Sequence, residues 1–401
     1  MLSLDKVFDA QTVLKSIIRE TNVVRAYGIA PQCELYLKPE NLQITGSFKV
    51  RGSAYKIALL SEEEKAKGVI ACSAGNHAQG VALAATKNGI KSLICLPDSA
   101  PISKVEATKG FGAEVCLVEG CYDDAYKKAL ELKESEGYTF VHPFDDENVI
   151  AGQGTIALEI LSDLDNIDAI VVPVGGGGLI SGIAYTIKQI RPSVKVYGVQ
   201  VAGAPSMYNS IRDGEIECLD SVSTIADGIA VKQPGENTYA LVKEYVDEIA
   251  LVTDDEVSSA ILALIEKQKM IAEGAGAAAV AAVMFDKFDL KGKRVAAVVS
   301  GGNIDVTSLS RVIDRGLRNS GRSAVLLMEL IDKPGQLSEI SRIIADLGGN
   351  VTGVHYEKGN TESVTGCFLR IEMETRDFEH VNEIKKSLRD AGFRIVKEIQ
   401  K

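Results

Sequence analysis

The sequence predicts a parallel α/β fold followed by a ferredoxin-like unit, and three observations carry that reading. From about residue 68 onward, short apolar runs alternate with stretches of helical period. At Asn319-Ser-Gly-Arg322 a short polar hinge interrupts the alternation. Beyond the hinge, about 80 residues read as βαββαβ, the order of a ferredoxin-like unit.

Taken in order, the strand candidates are Gly68–Cys72, Lys91–Leu96, Glu114–Val118, Ala169–Val174, Lys195–Val199 and Arg294–Val299. Continuous Val/Ile runs of this kind suit strands buried on both faces, and the intervening lengths allow right-handed helical crossovers. Helices are expected over Ala78–Asn88, Asp123–Glu136 and Asp254–Lys269, where apolar residues recur at three- and four-residue spacing. The Ala/Gly-rich run Glu273–Ala279 reads as a tightly packed helix. The last unit reads as strand Ser323–Leu330, turn Asp332-Lys-Pro-Gly335, helix Gln336–Leu347, strands Asn350–Glu357 and Thr365–Glu374, helix Asp377–Ala391 and strand Arg394–Ile399.

Composition bounds the function. The chain has 401 residues, 46% of them hydrophobic and 25% charged, which is a folded globular composition with room for more than one domain. A net charge of −11 without a Lys/Arg block argues against a nucleic-acid partner. The 7 cysteines are odd in number and scattered, so neither a disulfide framework nor a zinc ribbon fits, and free buried thiols in a reducing, cytoplasmic setting are expected. Asp5 and Asp9 interrupt what a signal peptide would need to be apolar. The longest apolar run, Ala275–Phe285 broken by Gly276, is shorter than the roughly 20 residues that span a bilayer, so no membrane partner is expected. In such a setting the sequon Asn350-Val-Thr352 is a chance match.

Four segments could carry chemistry. In Gly175-Gly-Gly-Gly178-Leu179 a buried strand runs into four glycines and a helix start, where converging N–H groups and partial positive charge suit a phosphate. Neither a G-x-G-x-x-G nor a G-x-x-x-x-G-K-[ST] spacing occurs, which leaves a small phosphorylated cofactor. Ser73-Ala74-Gly75-Asn76-His77 also joins a strand to a helix and could clasp a carboxylate. His142, His355 and His380 have no partners at metal-ligand spacing and read as structural or surface residues, so no metal site is expected. Lys49, after Phe48 in a glycine-bounded stretch, becomes a nucleophile toward an aldehyde only if desolvation or charge lowers its pKa. Ser300-Gly-Gly-Asn303 is a strand running into a turn.

Together, Ser47-Phe-Lys-Val-Arg-Gly52, Ser73-Ala-Gly-Asn-His77, Gly175-Gly-Gly-Gly-Leu179 and Ser300-Gly-Gly-Asn303 resemble, in this order, the fold-type II pyridoxal-phosphate enzymes. Within them the chain is most similar to the threonine dehydratases (threonine ammonia-lyases), and residues 323–401, notably Asp332-Lys-Pro-Gly335, resemble an ACT regulatory domain. The resemblance implies a two-lobed catalytic domain of the tryptophan synthase β type over residues 1–318. Its smaller lobe, about 45–140, is inserted in the larger, with 319–322 as hinge. It implies that Lys49 holds the cofactor aldehyde and then acts as base, that Phe48 lies beside the ring, and that Asn76 meets the ring hydroxyl. It sets Gly175, Gly176, Gly177, Gly178 and Leu179 on the phosphate and Ser300 at the pyridine nitrogen. It sets Ser73, Ala74, Gly75, Asn76 and His77 on the amino-acid substrate, with Ser73 beside Lys49 in catalysis. The implied reaction converts L-threonine to 2-oxobutanoate and ammonia, with L-serine as a second substrate. A homodimer or homotetramer is implied, with an amino-acid effector such as isoleucine or valine at the ACT domain.

Serine racemase and serine dehydratase share these motifs. Racemisation needs a second base, which related racemases supply from a serine where this chain has Ala74. Those relatives bind a divalent cation through Glu and Asp where this chain has Gln200 and Ser206. Cysteine synthases usually end the asparagine loop in threonine, not His77. A catalytically inactive amino-acid sensor is the alternative from another class.

Overall fold

The computed structural model of the protein describes residues 1–358 and 366–398. They form two units, Met1–Val306 and Thr307–Lys401. The helix Val306–Asn319, which the sequence reading attaches to the first unit, falls almost wholly in the second.

The first unit holds two sheets. The larger has six strands in the order Val24–Arg25, Glu34–Pro39, Arg294–Val299, Ala169–Pro173, Lys195–Val201 and Glu248–Val252. Its first pair is antiparallel and the rest are parallel. The smaller sheet, all parallel, is ordered Glu114–Val118, Ser92–Pro97, Val69–Cys72 and Thr139–Phe140. Ala169–Pro173 and Val69–Cys72 are buried at every residue, as Val/Ile runs in central parallel strands should be.

Four strands of the first unit escape the periodicity reading: Val24–Arg25 and Thr139–Phe140, at two residues each, are too short to show a period, and the other two fail it for physical reasons. Glu34–Pro39 contains Lys38, a charge that spoils an apolar run, yet Lys38 is wholly buried because it pairs with Glu159. Glu248–Val252 is an edge strand and only half-buried, so its apolar signal is weak.

Helix Lys49–Ala58 packs on Asn76–Lys87 and on Glu147–Asp163, the last capped by Asp146, whose carboxylate accepts from the Asn148 and Val149 N–H groups. The Ala/Gly run forms the helix Gly274–Met284, buried from Gly274 to Val283. The helix expected over Asp254–Lys269 is α-helical only for Asp254–Ala263. It then widens into a π turn at Leu264–Gln268 and stops at Lys269, which has φ +59°. The widened turn lets Lys267 and Gln268 reach the Gly28 and Tyr27 carbonyls.

In the second unit an antiparallel sheet is ordered Asn350–Lys358, Gly366–Glu374, Ser323–Ile331 and Arg394–Glu398, which is second, third, first and fourth in chain order. With the helices Gln336–Asp346 and Phe378–Asp390 this is the βαββαβ arrangement. Thr365 and Ile399, at the outer ends of two expected strands, lie outside the described residues. Alternate residues Ala324, Leu326, Met328 and Leu330 meet Leu369, Ile371, Ile340 and Ile384 in one core.

All seven cysteines are free, and Cys72, Cys95 and Cys367 are buried. Cys121 and Cys218 are exposed, which corrects the expectation of burial for them, because both lie outside the sheets. No helix among the described residues is long and apolar enough to cross a membrane.

Candidate functional site

In the first unit, three parallel strands end at one cavity of about 760 Å³: Cys72, Pro173 and the Val299–Ser300 junction mark where they stop. Crevices at the carboxyl ends of parallel strands are where α/β folds place ligands, because helix N-termini and loop N–H groups converge there. Phe48 and Lys49, Ser73 to His77, Gly175 to Leu179, and Ser300 with Asn303 all line this cavity. They come from positions up to 255 residues apart in the chain, 303 − 48.

Lys49 is the first residue of the helix Lys49–Ala58 and faces the cavity. Its Nζ donates to the Pro143 carbonyl at 2.8 Å and stands 5.4 Å from the centre of the Phe48 ring. Burial lowers its pKa to about 8, against an opposing pull from the Glu273 carboxylate. An antiparallel bridge between Ser47 and Gly301, and a 3.1 Å bond from Phe48 N–H to the Ser300 carbonyl, tie the lysine segment to the serine segment. Ser300, 3% exposed, lines the cavity, and its hydroxyl has no hydrogen-bond partner among the described residues.

The glycine loop is pressed from outside. A Cβ on Gly176 would stand 2.5 Å from the Phe144 ring, and one on Gly178 2.8 Å from the Phe144 carbonyl. Gly177 has φ +100°, a left-handed conformation that side chains resist. Thr238 Oγ donates to the Gly176 carbonyl at 2.6 Å and fixes the loop. The N–H groups of Gly175 to Leu179 donate to no protein acceptor among the described residues, and they head the 13-residue helix Gly178–Ile190. They form a cradle for an anion.

Ser73 Oγ accepts the Gly75 N–H at 3.2 Å, so its own O–H stays available. Ala74 packs its methyl group on the core. His77 departs from expectation: its ring is buried, with Nε2 2.8 Å from the Val141 carbonyl and Nδ1 3.4 Å from Ser53 Oγ. A carbonyl only accepts, so Nε2 carries the hydrogen and Nδ1 accepts from Ser53. Burial, with Lys49 and His142 nearby, pushes the His77 pKa down to about 3. The ring is therefore neutral and engaged, and only the His77 main chain remains for a ligand.

Several wall residues were invisible to sequence reasoning. Glu273, 4% exposed, receives Asn76 Nδ2 at 2.6 Å, and burial together with Asp227 raises its pKa to about 7. Its signal was a lone acid heading a wholly apolar helix, a place that forces it into the interior. His142, read as structural or surface, lines the cavity and accepts the Phe144 and Asp145 N–H groups at 3.3 and 2.8 Å, shaping the turn behind the glycine loop. Asp227 to Gly235 closes the remaining side, and Lys104 reaches Asp227 at 2.7 Å across the wall. Nothing in that irregular stretch marks it in the sequence.

Gln200 Oε1 accepts the Tyr208 N–H and Ser206 Oγ donates to the Val231 carbonyl, each at 2.7 Å, so both oxygens are engaged within the protein, while Gln200 Nε2 is buried without a partner among the described residues. No group of three or more His, Cys, Asp or Glu among the described residues is placed to hold a metal.

A primary amine of lowered pKa, an aromatic ring beside it, a cradle of free N–H groups and an unpartnered hydroxyl in the cavity wall fit the parts of pyridoxal phosphate: aldehyde, ring, phosphate and pyridine nitrogen.

A family model described as pyridoxal-phosphate dependent enzyme matches residues 14–301. The chain is 49% identical over 398 residues to an L-threonine ammonia-lyase of Thermotoga maritima, covering 98% of this chain and 99% of the relative. The solved structure of the processed form of threonine deaminase isoform 2 from Solanum lycopersicum matches with a TM-score of 0.75 and 38% identity, over 78% of this chain and 87% of that one. Maize serine racemase matches with a TM-score of 0.74 and 34% identity, over 79% of this chain and 98% of that one.

Proposed function

The chain belongs to the pyridoxal-phosphate-dependent enzymes, and from that premise we propose that it is a lyase converting L-threonine to 2-oxobutanoate and ammonia, and L-serine to pyruvate and ammonia. The observation that carries the reading is the convergence of four separated motifs on one cavity with the Lys49 amine in its wall. The threonine ammonia-lyase relative, similar over nearly its whole length, supports the substrate.

When bound, pyridoxal phosphate supplies a ring that accepts the electron pair left at the α-carbon once its proton is removed. The chain's residues do the rest. The Gly175–Leu179 N–H groups would hold the phosphate, and the Ser300 hydroxyl would give the ring nitrogen a neutral hydrogen bond where an aspartate would enforce full positive charge. Lys49 would hold the aldehyde, and its amine would take the α-proton of the substrate. Ser73 and the main-chain N–H groups through His77 hold the substrate carboxylate. Water is lost across the Cα–Cβ bond and regained when the carbon–nitrogen bond is hydrolysed, so the sum is 2-oxobutanoate plus ammonia.

A second reading, serine racemase, is supported by the maize structure. Ala74 stands against it, because a methyl group cannot deliver a proton to the opposite face of the substrate. Purified protein with L-threonine should release 2-oxobutanoate and ammonia in equal amounts. No release from protein carrying its visible chromophore would refute the lyase reading and leave the inactive sensor.

The second unit is proposed to regulate as an ACT domain. Its βαββαβ order supports this, as does Gly335, whose φ of +95° turns Asp332-Lys-Pro-Gly335 into the N-terminus of the helix Gln336–Asp346. Such units make ligand sites by pairing, so a cytosolic homodimer or homotetramer responding to isoleucine or valine is proposed. Protein truncated before Ser323 should still deaminate threonine but lose the response.

A further inference from the structure

Asn76 is gripped from both ends. Asn303 Nδ2 donates to the Thr45 carbonyl at 2.7 Å and to Asn76 Oδ1 at 2.8 Å, with Gln79 Oε1 a third and longer acceptor at 3.4 Å. Asn76 Nδ2 donates in turn to Glu273 Oε1 at 2.6 Å. The two orientations of an Asn amide differ by a half-turn and are nearly equal in shape, so only partners choose between them. Here the choice begins at a group with no freedom. A main-chain carbonyl accepts and never donates, so Thr45 identifies the nitrogen end of Asn303. That nitrogen pairs only with the oxygen end of Asn76. The nitrogen end of Asn76 then meets a carboxyl oxygen that accepts whether or not Glu273 carries a proton on its other oxygen.

Two glycines make room for this chain of bonds. A Cβ on Gly46, at φ +69°, would lie 2.3 Å from Asn303 Oδ1, and one on Gly301 would lie 2.3 Å from Glu273 Oε1. Thus the glycine of Thr45-Gly-Ser47 and the first glycine of Ser300-Gly-Gly-Asn303 each vacate the space that one grip occupies. Asn76, Glu273 and Asn303 all line the cavity.

We propose that Asn303 and Glu273 are positioning residues that lock the Asn76 amide with its nitrogen toward Glu273, leaving one amide hydrogen to donate to the oxygen substituent of the cofactor ring. This rests on the reading of the cavity as the pyridoxal-phosphate site. With the lock broken, the amide turns over and sets its own lone pairs against that oxygen. The effect belongs to the bound chromophore and to cofactor affinity, not to folding.

The test uses the holoprotein and reads the visible absorption maximum and the pyridoxal-phosphate Kd of the resolved apoprotein. Asn303→Asp cannot donate to Thr45 or Asn76, and Glu273→Leu cannot accept. Each should shift the absorption maximum and raise Kd roughly tenfold, the scale of one misdirected hydrogen bond. The decisive comparison is Glu273→Gln against Glu273→Leu: a Gln Oε1 still accepts the Asn76 amide, so Glu273→Gln should keep the wild-type maximum and a Kd within twofold, whereas Glu273→Leu should lose both. A merely structural role would lower Tm in Asn303→Asp and Glu273→Leu without moving the maximum. Unchanged maxima and Kd within twofold in Asn303→Asp and Glu273→Leu would overturn the proposal, as would a Glu273→Gln variant as impaired as Glu273→Leu. The comparison of Gln with Leu decides alone if Asn303→Asp does not fold. Wild-type protein that binds no chromophore would overturn the cofactor reading and the lock together, whereas a normal wild-type band with indifferent variants would overturn the lock alone.

Discussion

The Lys49 side-chain nitrogen rests on the main-chain carbonyl of Pro143 at 2.8 Å, so the amine at the head of one helix is held by the turn behind the glycine loop. That turn also carries Phe144, which presses on Gly176 and Gly178. Amine and anion cradle are therefore set relative to each other by one short segment.

Burial lowers the Lys49 pKa from its ordinary 10.5 to about 8, and the neutral amine is the reactive form. Attachment of pyridoxal phosphate to apoprotein should therefore speed up about tenfold per pH unit and level off near pH 8. Levelling near 10 would contradict the assignment. Borohydride reduction and peptide mapping should place the pyridoxyl group on Lys49, and Lys49→Ala should lose turnover.

Gly176→Ala places a methyl group 2.5 Å from the Phe144 ring. Overpacking of this kind costs about 1–3 kcal/mol and should be joined by weaker cofactor binding, because the cradle must move. Gly110→Ala meets nothing within 4 Å and serves as control, with Tm unchanged or slightly raised. Equal Tm and cofactor Kd in Gly176→Ala and wild type would show that the loop is not pressed.

His77 has a folded-state pKa of about 3 against an ordinary 6.5. As pH falls below 6.5 the unfolded chain takes up a proton that the folded chain refuses, so stability drops progressively toward pH 3. His77→Gln lacks this term. The Tm difference between wild type and His77→Gln should shrink as pH is lowered from 7.5 to 4.5, and parallel Tm profiles would refute the linkage.

Arg51 lies wholly buried between Glu40 and Glu159, with its Nε and Nη2 2.8 Å from the two Glu40 oxygens and Nη1 2.6 Å from Glu159. Arg51→Met leaves buried carboxylates short of a partner and should cost about 3–5 kcal/mol in urea unfolding. Arg51→Lys keeps the charge but not the planar fork and should fall between the two. A Lys variant as stable as wild type would show that charge alone suffices.

Ala74 offers no proton to the far face of the substrate. Chiral chromatography after incubation with L-serine should show pyruvate and almost no D-serine, with D-serine rising in Ala74→Ser. Abundant D-serine from the wild type would overturn the preference for elimination.

The sequence by itself determined the alternation of buried Val/Ile strands and helices, the βαββαβ order after the hinge, and the four glycine- or lysine-bearing turns. Each is encoded locally, in periods of two or 3.6 residues and in glycines at strand ends. Only the tertiary structure decided that Lys38 lies inside a strand, since its charge is tolerable only beside Glu159, 121 residues away. It likewise turned the His77 ring away from the cavity onto Val141, and brought Glu273 and Asn303 to opposite ends of Asn76 across 197 and 227 residues. Hydrogen bonds of that sequence separation leave no periodic trace, because the partner of a buried polar group is chosen by where the folded chain places it and not by its neighbours in sequence.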